Sequence, residues 1–475
     1  MLPSICAYLR ISFSSLMLLL LAGCAATSVW KPYPETINPQ IESIKSSQFQ
    51  YALQDLDQYR TKQDKVLYLV ERARIAQIAE DYETSRSDLE TVIDIMKQRE
   101  QAAVVSGRKV GAQAASLLTN ENAIPYELAG FEKIMVYNTQ ALNFLFLRQI
   151  EAAGVEVRRA NSEQNEALRR HEQEIEEARQ DAEEKKLDLS KYSDKVDDAY
   201  HVMDDIAGRV KNSFQNAYTF YVSGIIYELL GMDNDAYIDY KKALEIYSDN
   251  TFLQADVLRL ASKLHMSSDL QIFTQRFGKP DRSGNSPDKG DLVILFENGF
   301  VPQKQEIKIS LPTENGWIAV AFPIYDISWY APKSVKVYID SNFKATTELI
   351  CDVRALAVKS LKEKAPALAL RQALRITAKA VLQKQASDKM GFLGCMATSI
   401  YNIASESADL RGWYTLPNDA QIFRTSIPSG MHNVRIVDEG TGYSKDVDVQ
   451  INSGRMTVIK VVSAGPNIYT STIVF

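Results

Sequence analysis

The sequence predicts a multidomain protein: an all-α helical repeat domain, then an α+β domain with antiparallel strands and a helical insert. Three observations predict it. From Ser46 to Leu264 the chain is rich in Ala, Leu, Glu, Gln, Arg and Lys and carries one proline, Pro125, which is helix composition. From Gly278 to Gly290 it is dense in Gly, Pro, Ser and Asp, a composition that defeats helix and strand alike. Beyond Gly290, period-two alternation returns. The 475 residues leave room for two or three domains. Charged residues at 24% and apolar residues at 45% are those of a folded chain. A net charge of -6 argues against bulk attraction to nucleic acid, and four His with four Cys, widely scattered, are too few for a zinc or haem framework. No cofactor is expected.

Residues 1–23 read as a signal peptide and 24–45 as a tether. Arg10 supplies a thin positive region, and Ile11 to Leu21 is an apolar stretch too short to span a bilayer. Leu21-Ala22-Gly23-Cys24 then places small residues before a thiol. This resembles the bacterial lipobox, with cleavage after Gly23 and acylation of Cys24. Several acyl chains anchor a protein stably where one does not. Ala25 stands in place of Asp; by resemblance to enterobacterial sorting rules, this implies the outer membrane, facing the periplasm.

Residues 46–270 form the predicted repeat domain. The clearest unit lies between Ala217 and Asp249: Phe220, Gly224, Tyr227, Gly231, Ala236, Tyr240 and Ala243. Gly224 and Ala236 are small, so two antiparallel helices approach closely. Tyr227 and Tyr240 fill the space beside them, Gly231 turns the chain, and Ala243 lets the next helix dock. The spacing matches the tetratricopeptide repeat, TPR. Weaker copies lie at Ala141, Phe144, Ala153, Val157 and Ala160, and at Ala73, Ala76, Ser85, Leu89 and Val92. The charged stretch Glu156 to Asp188 reads as a solvated helical extension. His171-Glu172-Gln173-Glu174-Ile175 lacks the second His of a metallopeptidase helix.

A linker is predicted over 271–290 and the α+β domain over 291–475. Strands are expected at Leu292–Phe296, Gln305–Leu311, Trp317–Phe322, Val335–Ile339 and Ala345–Ile350. Helices follow at Val353–Lys364, Ala367–Gln385 and Gly394–Ser405, then strands at Gln421–Ser426, His432–Val437, Asp446–Ile451, Met456–Val462 and Ile468–Val474. Asn452-Ser453-Gly454 is read as a tight hairpin. Gly430-Met431-His432 opens a strand, and this last stretch resembles the small β modules of the PEGA type. Cys351 and Cys395 flank the insert. In an oxidising compartment they either pair or stay buried as free thiols, and the sequence leaves both open. Arg371, Arg375 and Lys379 recur every four residues without an acid at i±4. They are a candidate stripe for an anionic surface such as peptidoglycan; charge runs are more often a solvated face, or here a face paired with acids of the repeat domain.

The chain resembles an uncharacterised family of proteobacterial TPR-containing outer-membrane lipoproteins. The resemblance rests on Tyr126 with Phe131-Glu132 and Ala141-Leu142-Asn143, and on Val155-Glu156-Val157-Arg158-Arg159. It continues through Gly290-Asp291-Leu292-Val293, Glu297-Asn298-Gly299 and the run Ala408 to Pro417. It implies the architecture above and brings no assigned catalytic residue. His432 is the only histidine of the C-terminal domain, and no nucleophile elbow occurs. A non-enzymatic, lipid-anchored periplasmic scaffold is therefore expected, binding a periplasmic or outer-membrane partner through a TPR-like groove. The alternative is an envelope-binding or regulatory lipoprotein acting on peptidoglycan or a peptidoglycan synthase.

Overall fold

The computed structural model describes residues 31–106, 122, 124–184, 200–279, 288–313, 316–325, 331–368 and 406–475, with isolated positions from 372 to 388. Ten helices stack as five antiparallel pairs: α1 (Tyr33–Lys45) with α2 (Phe49–Asp57), α3 (Lys65–Ile78) with α4 (Tyr82–Ser106), and α5 (Gly130–Phe146) with α6 (Ile150–Glu184). After a four-residue helix α7 (Asp204–Ala207) come α8 (Ala217–Leu229) with α9 (Asp233–Ile246), and α10 (Thr251–Lys263) with α11 (Ser267–Phe277). Within the pairs the small positions Ala73, Ala76, Ala141, Ala153, Ala236 and Ala243 are fully buried.

One turn recurs in every pair. Ser47, Glu80, Arg148, Gly231 and His265 all have φ between 56° and 73°. In each case the next amide returns to a carbonyl five residues earlier: Gln48 to Ser43, Asp81 to Ala76, Gln149 to Phe144, Met232 to Tyr227 and Met266 to Ala261. This is the Schellman stop, which satisfies helix-end carbonyls through one left-handed residue. Ser47 and Glu80 lie 33 positions apart, Gly231 and His265 lie 34 apart, and Glu80 and Arg148 lie 68 apart, twice that period.

The first pair corrects the sequence reading of 24–45 as a tether. Pro34 falls in the first turn of α1, where its missing N–H costs nothing, and Pro39 lies inside the helix. Burial of Tyr33, Ile37, Ile41 and Ile44 offsets the interruption. The linker also shrinks, because α11 runs to Phe277 and the first strand starts at Lys289. The charged helix α6 is 35 residues long against 17 for α5. Its first half is packed: Glu156, Ala160, Glu163, Gln164 and Ala167 are buried.

The C-terminal half is a sandwich. A five-stranded sheet has the order β11-β10-β1-β7-β6, built from β1 (Lys289–Asn298), β6 (Glu348–Asp352), β7 (Asp419–Pro428), β10 (Met456–Ala464) and β11 (Asn467–Val474). A four-stranded sheet, β5-β4-β8-β9, contains β4 (Val335–Ile339), β5 (Asn342–Thr346), β8 (Gly430–Asp438) and β9 (Ser444–Ile451). A separate hairpin pairs β2 (Lys304–Thr313) with β3 (Gly316–Tyr325). Helix α12 (Val353–Glu363) follows β6. The strands are antiparallel with one correction: β1 and β10 run parallel. A second correction concerns Asn452-Ser453-Gly454. It is not a hairpin but a corner, because β9 pairs with β8 while β10 lies in the other sheet. The last five strands are therefore no separate module; they share both sheets with β1, β4, β5 and β6.

Leu292, Ile294, Phe296, Phe423, Ile459 and Val461 form one face of the five-stranded sheet and pack on Val337, Ile339, Val434, Ile436 and Val449 of the other sheet. Val293, Leu295, Ile422, Val458 and Val462 form the opposite face and join the helical core. A strand buried on both faces reads as a continuous apolar run, as Leu292-Val293-Ile294-Leu295-Phe296 does.

Candidate functional site at the helix–sheet seam

Helices α3, α8 and α10 meet the five-stranded sheet, and α5 packs against α3 and α8. Alternation puts Asp291 and Glu297 of β1, Arg424 of β7 and Lys460 of β10 on the sheet face that meets them. Buried charge needs a partner, and each of these finds one.

At the centre, Arg74 of α3 donates from Nη2 to Glu297 Oε2 at 2.6 Å, from Nη1 to Gln77 Oε1 at 2.8 Å and from Nε to the Thr415 carbonyl at 3.3 Å. Tyr218 of α8 donates its hydroxyl to Glu297 Oε1 at 3.0 Å. Lys460 Nζ donates to Gln77 Oε1 at 2.7 Å and lies 3.7 Å from Glu297 Oε2. Gln77 Nε2 donates to Asn143 Oδ1 at 2.7 Å, and Asn143 Nδ2 donates to Ser85 at 2.8 Å. Burial alone would raise the Glu297 carboxyl, but Arg74 and Lys460 reverse this and hold it below its ordinary value. Burial drives the Lys460 ammonium down to about 7, against the pull of Glu297.

A second cluster joins α8, α9 and α10 to β7. Glu228 accepts from Arg259 Nη1 at 2.8 Å and from Arg424 Nη1 at 2.8 Å, and Tyr240 donates to it at 2.7 Å. Arg259 also reaches Asp256 at 2.8 Å, and Arg424 reaches Asp291 at 2.6 Å. Burial opposes ionisation of Glu228, yet the two guanidinium groups hold it well below the carboxylate range.

A third contact seats a loop of the chain, residues 408–416, across α3 and α5. Glu71 accepts the amides of Tyr414 at 2.7 Å and Thr415 at 3.0 Å, together with the hydroxyls of Thr415 and Tyr33. Glu132 accepts the amide of Trp413 at 2.9 Å and the Tyr126 hydroxyl at 2.6 Å. Arg411 spans Asp64 at 2.7 Å and Asp409 at 2.8 Å. Two glutamates on successive inner helices thus grip three consecutive main-chain amides, as a groove grips a peptide.

Most segments that carry the sequence resemblance meet at this seam: Tyr126, Glu132, Asn143, Asp291, Glu297 and the run to Pro417. Sequence reasoning missed Glu71, Arg74, Glu228, Arg424 and Lys460. The signal was there for Lys460, a lone charge in Val458-Ile459-Lys460-Val461-Val462. The TPR-pattern residues form the α8–α9 packing instead. Phe220, Tyr227, Ala236, Tyr240 and Ala243 are buried, Gly231 is the left-handed stop, and a Cβ on Gly224 would lie 2.3 Å from Tyr240 Cε1. Cys351 is a buried free thiol whose ionisation burial suppresses. Arg375 corrects the reading of a surface stripe: it is buried, with Nη1 3.5 Å from Glu406 Oε2. Cys24, Cys395, Arg371 and Lys379 lie outside the described residues.

These contacts tie the helices to the sheet and to residues 408–416. Among the described residues no group of three His, Cys, Asp or Glu is placed to hold a metal.

No family model and no curated protein matches the chain. A solved structure similar to part of it is the TPR2AB-domain:pHSP90 complex of yeast Sti1, at 15% identity, covering 49% of this chain and 84% of that chain with a TM-score of 0.18. With so loose a superposition, the helix-pair architecture rests on the five stop turns and the packing described above.

Proposed function

We propose that the chain is a non-enzymatic interaction scaffold. In this reading a lipid on Cys24 tethers it to the outer membrane, facing the periplasm. Its helical array offers a periplasmic or outer-membrane partner its outer surfaces rather than an inner groove. The observation that carries the reading is the filled inner face: Arg74–Glu297, Glu228–Arg424 and Glu71–Thr415 bind it to the chain's own sheet and to residues 408–416. A solenoid braced in this way is a rigid platform, and platforms of stacked helix pairs serve binding. No helix among the described residues is long and apolar enough to cross a membrane.

Palmitate labelling of the full chain and of Cys24→Ala tests the tether; equal incorporation would remove it. A photo-crosslinking residue placed in intact cells at Ile238 of α9 or Val155 of α6, both exposed, tests the scaffold. One defined partner is expected in the adducts. Absence of any adduct from these positions and from the exposed Gln275 of α11 would end the scaffold reading.

A further inference from the structure

The helix stack is unfinished at one end. Each second helix is covered by the first helix of the next pair: α2 by α3, α4 by α5, α6 by α8 and α9 by α10. Helix α11 belongs to the last pair, and no described element covers it in that way. The consequence shows in its burial. Helix α9 has six buried residues and α2 has three, while α11 has none. Leu270, Phe273 and Phe277 of α11 and Leu264 at the end of α10 are only half-buried, and Ile272 is 58% exposed. A polar end cap would be expected if this surface simply faced water.

Among the described residues no element supplies the next helix. Eleven residues, 278–288, separate Phe277 from β1; they open on Gly278 at φ 94°, and their Gly, Pro, Ser and Asp are a composition that disfavours a helix. Charge adds direction. Asp269 is neutralised by Lys241 at 2.7 Å and Lys263 by Asp233 at 2.8 Å. Arg276 has no ion pair among the described residues; its guanidinium lies 5.0 Å from the centre of the Phe277 ring, exposed beside the apolar surface.

We propose that this open end docks an amphipathic helix of a partner protein, which continues the stack in the place of a sixth first helix. Its apolar face covers Ile272, Phe273 and Phe277, and its acidic residues meet Arg276. The four covered junctions inside the array all seat a helix, so a helix is the occupant that continues them. The proposal rests on the scaffold reading and names the site within it.

The test uses the full chain in its own cells with a photo-crosslinking residue at the exposed Gln275, and in parallel at Ile238. The expected result is an adduct from Gln275 whose cross-linked partner peptide lies in an amphipathic helix with acidic flanks. Ile272→Asp should cut its yield at least tenfold while leaving the thermal unfolding midpoint in place. An adduct from Ile238 alone overturns the proposal and leaves the scaffold standing. No adduct from either position or from Val155 overturns both. An adduct with a second copy of this chain, an adduct with a non-helical segment, or a yield that Ile272→Asp does not change also overturns it.

Discussion

Arg74 Nη2 donates to Glu297 Oε2 at 2.6 Å, so a helix and a strand 223 positions apart in sequence share one buried ion pair. Removing one member of such a pair strands the other charge. Arg74→Met should therefore destabilise the protein by about 3–5 kcal/mol. Arg74→Lys should recover only part of this, since one ammonium cannot reach Gln77, Glu297 and the Thr415 carbonyl as the guanidinium fork does. Urea unfolding midpoints at constant m would show both effects.

Lys460 sets a pH dependence of definite sign. Its ammonium falls from an ordinary 10.5 to about 7 in the fold, because burial outweighs Glu297. A depressed folded value contributes stability that is present above pH 10.5 and lost as pH falls to about 7. Wild-type stability should rise between pH 7 and pH 9 more steeply than that of Lys460→Met, which keeps the volume and removes the charge. Equal slopes in denaturant titrations at those two pH values would refute the assignment.

The architecture was legible where pattern is local, and the seam was not. Strand β4 occupies Val335–Ile339, the span its alternation marks, and Gly231 announced its turn. Four of the five stop turns were hidden because Ser47, Glu80, Arg148 and His265 hold the left-handed position that glycine usually advertises. Each such residue costs about 1–2 kcal/mol against glycine, which the surrounding packing absorbs. The period was obscured by the insertion between α4 and α5 and by the length of α6. Helix α1 was masked by its prolines. The ion pairs were illegible for a different reason. Arg74 and Glu297 each read as surface charges until the sheet face carrying Glu297 is known to meet helices rather than water.

Glu71 should behave oppositely to Lys460. Burial raises its carboxyl from an ordinary 4.5 to about 7, although Tyr33, Tyr414 and Thr415 all donate to it. A raised folded value contributes stability present below pH 4.5 and lost as pH rises through about 7. Glu71→Gln turns an amide N–H toward a main-chain N–H of Tyr414 or Thr415, at a cost of about 1–3 kcal/mol. The gap between wild type and variant should narrow as pH rises from 4.5 to 7. Amide exchange at Tyr414 and Thr415 should quicken in the variant.

Cys351 offers a chemical check on the two readings of the thiols. It is buried and free, and burial pushes its thiol well above its ordinary value. Thiolate is the reactive form, so iodoacetamide should leave Cys351 untouched in the folded protein and alkylate it in denaturant without reductant. Alkylation that required reductant as well as denaturant would show a bridge.

The contact of Gly224 with Tyr240 permits a test of how closely the α8–α9 pair is fitted. A Cβ at Gly224 would lie 2.3 Å from Tyr240 Cε1, 2.6 Å from Cζ and 2.7 Å from Cδ1. The ring cannot step aside, because Tyr240 is fully buried and its hydroxyl donates to Glu228 at 2.7 Å within the cluster that holds Arg424. Gly224→Ala must then spread the two helices, at a cost of about 1–3 kcal/mol from overpacking, less the modest gain in helix propensity. Tyr240→Leu alone should also destabilise, by opening a cavity and removing a donor from Glu228. Combined, the two changes should cost less than the sum of the singles, since alanine then occupies space the ring has left. A double-mutant cycle from urea midpoints reads this directly. Strict additivity would mean that the helices already tolerate a methyl group there, and that glycine at 224 is unrelated to the approach of the tyrosine.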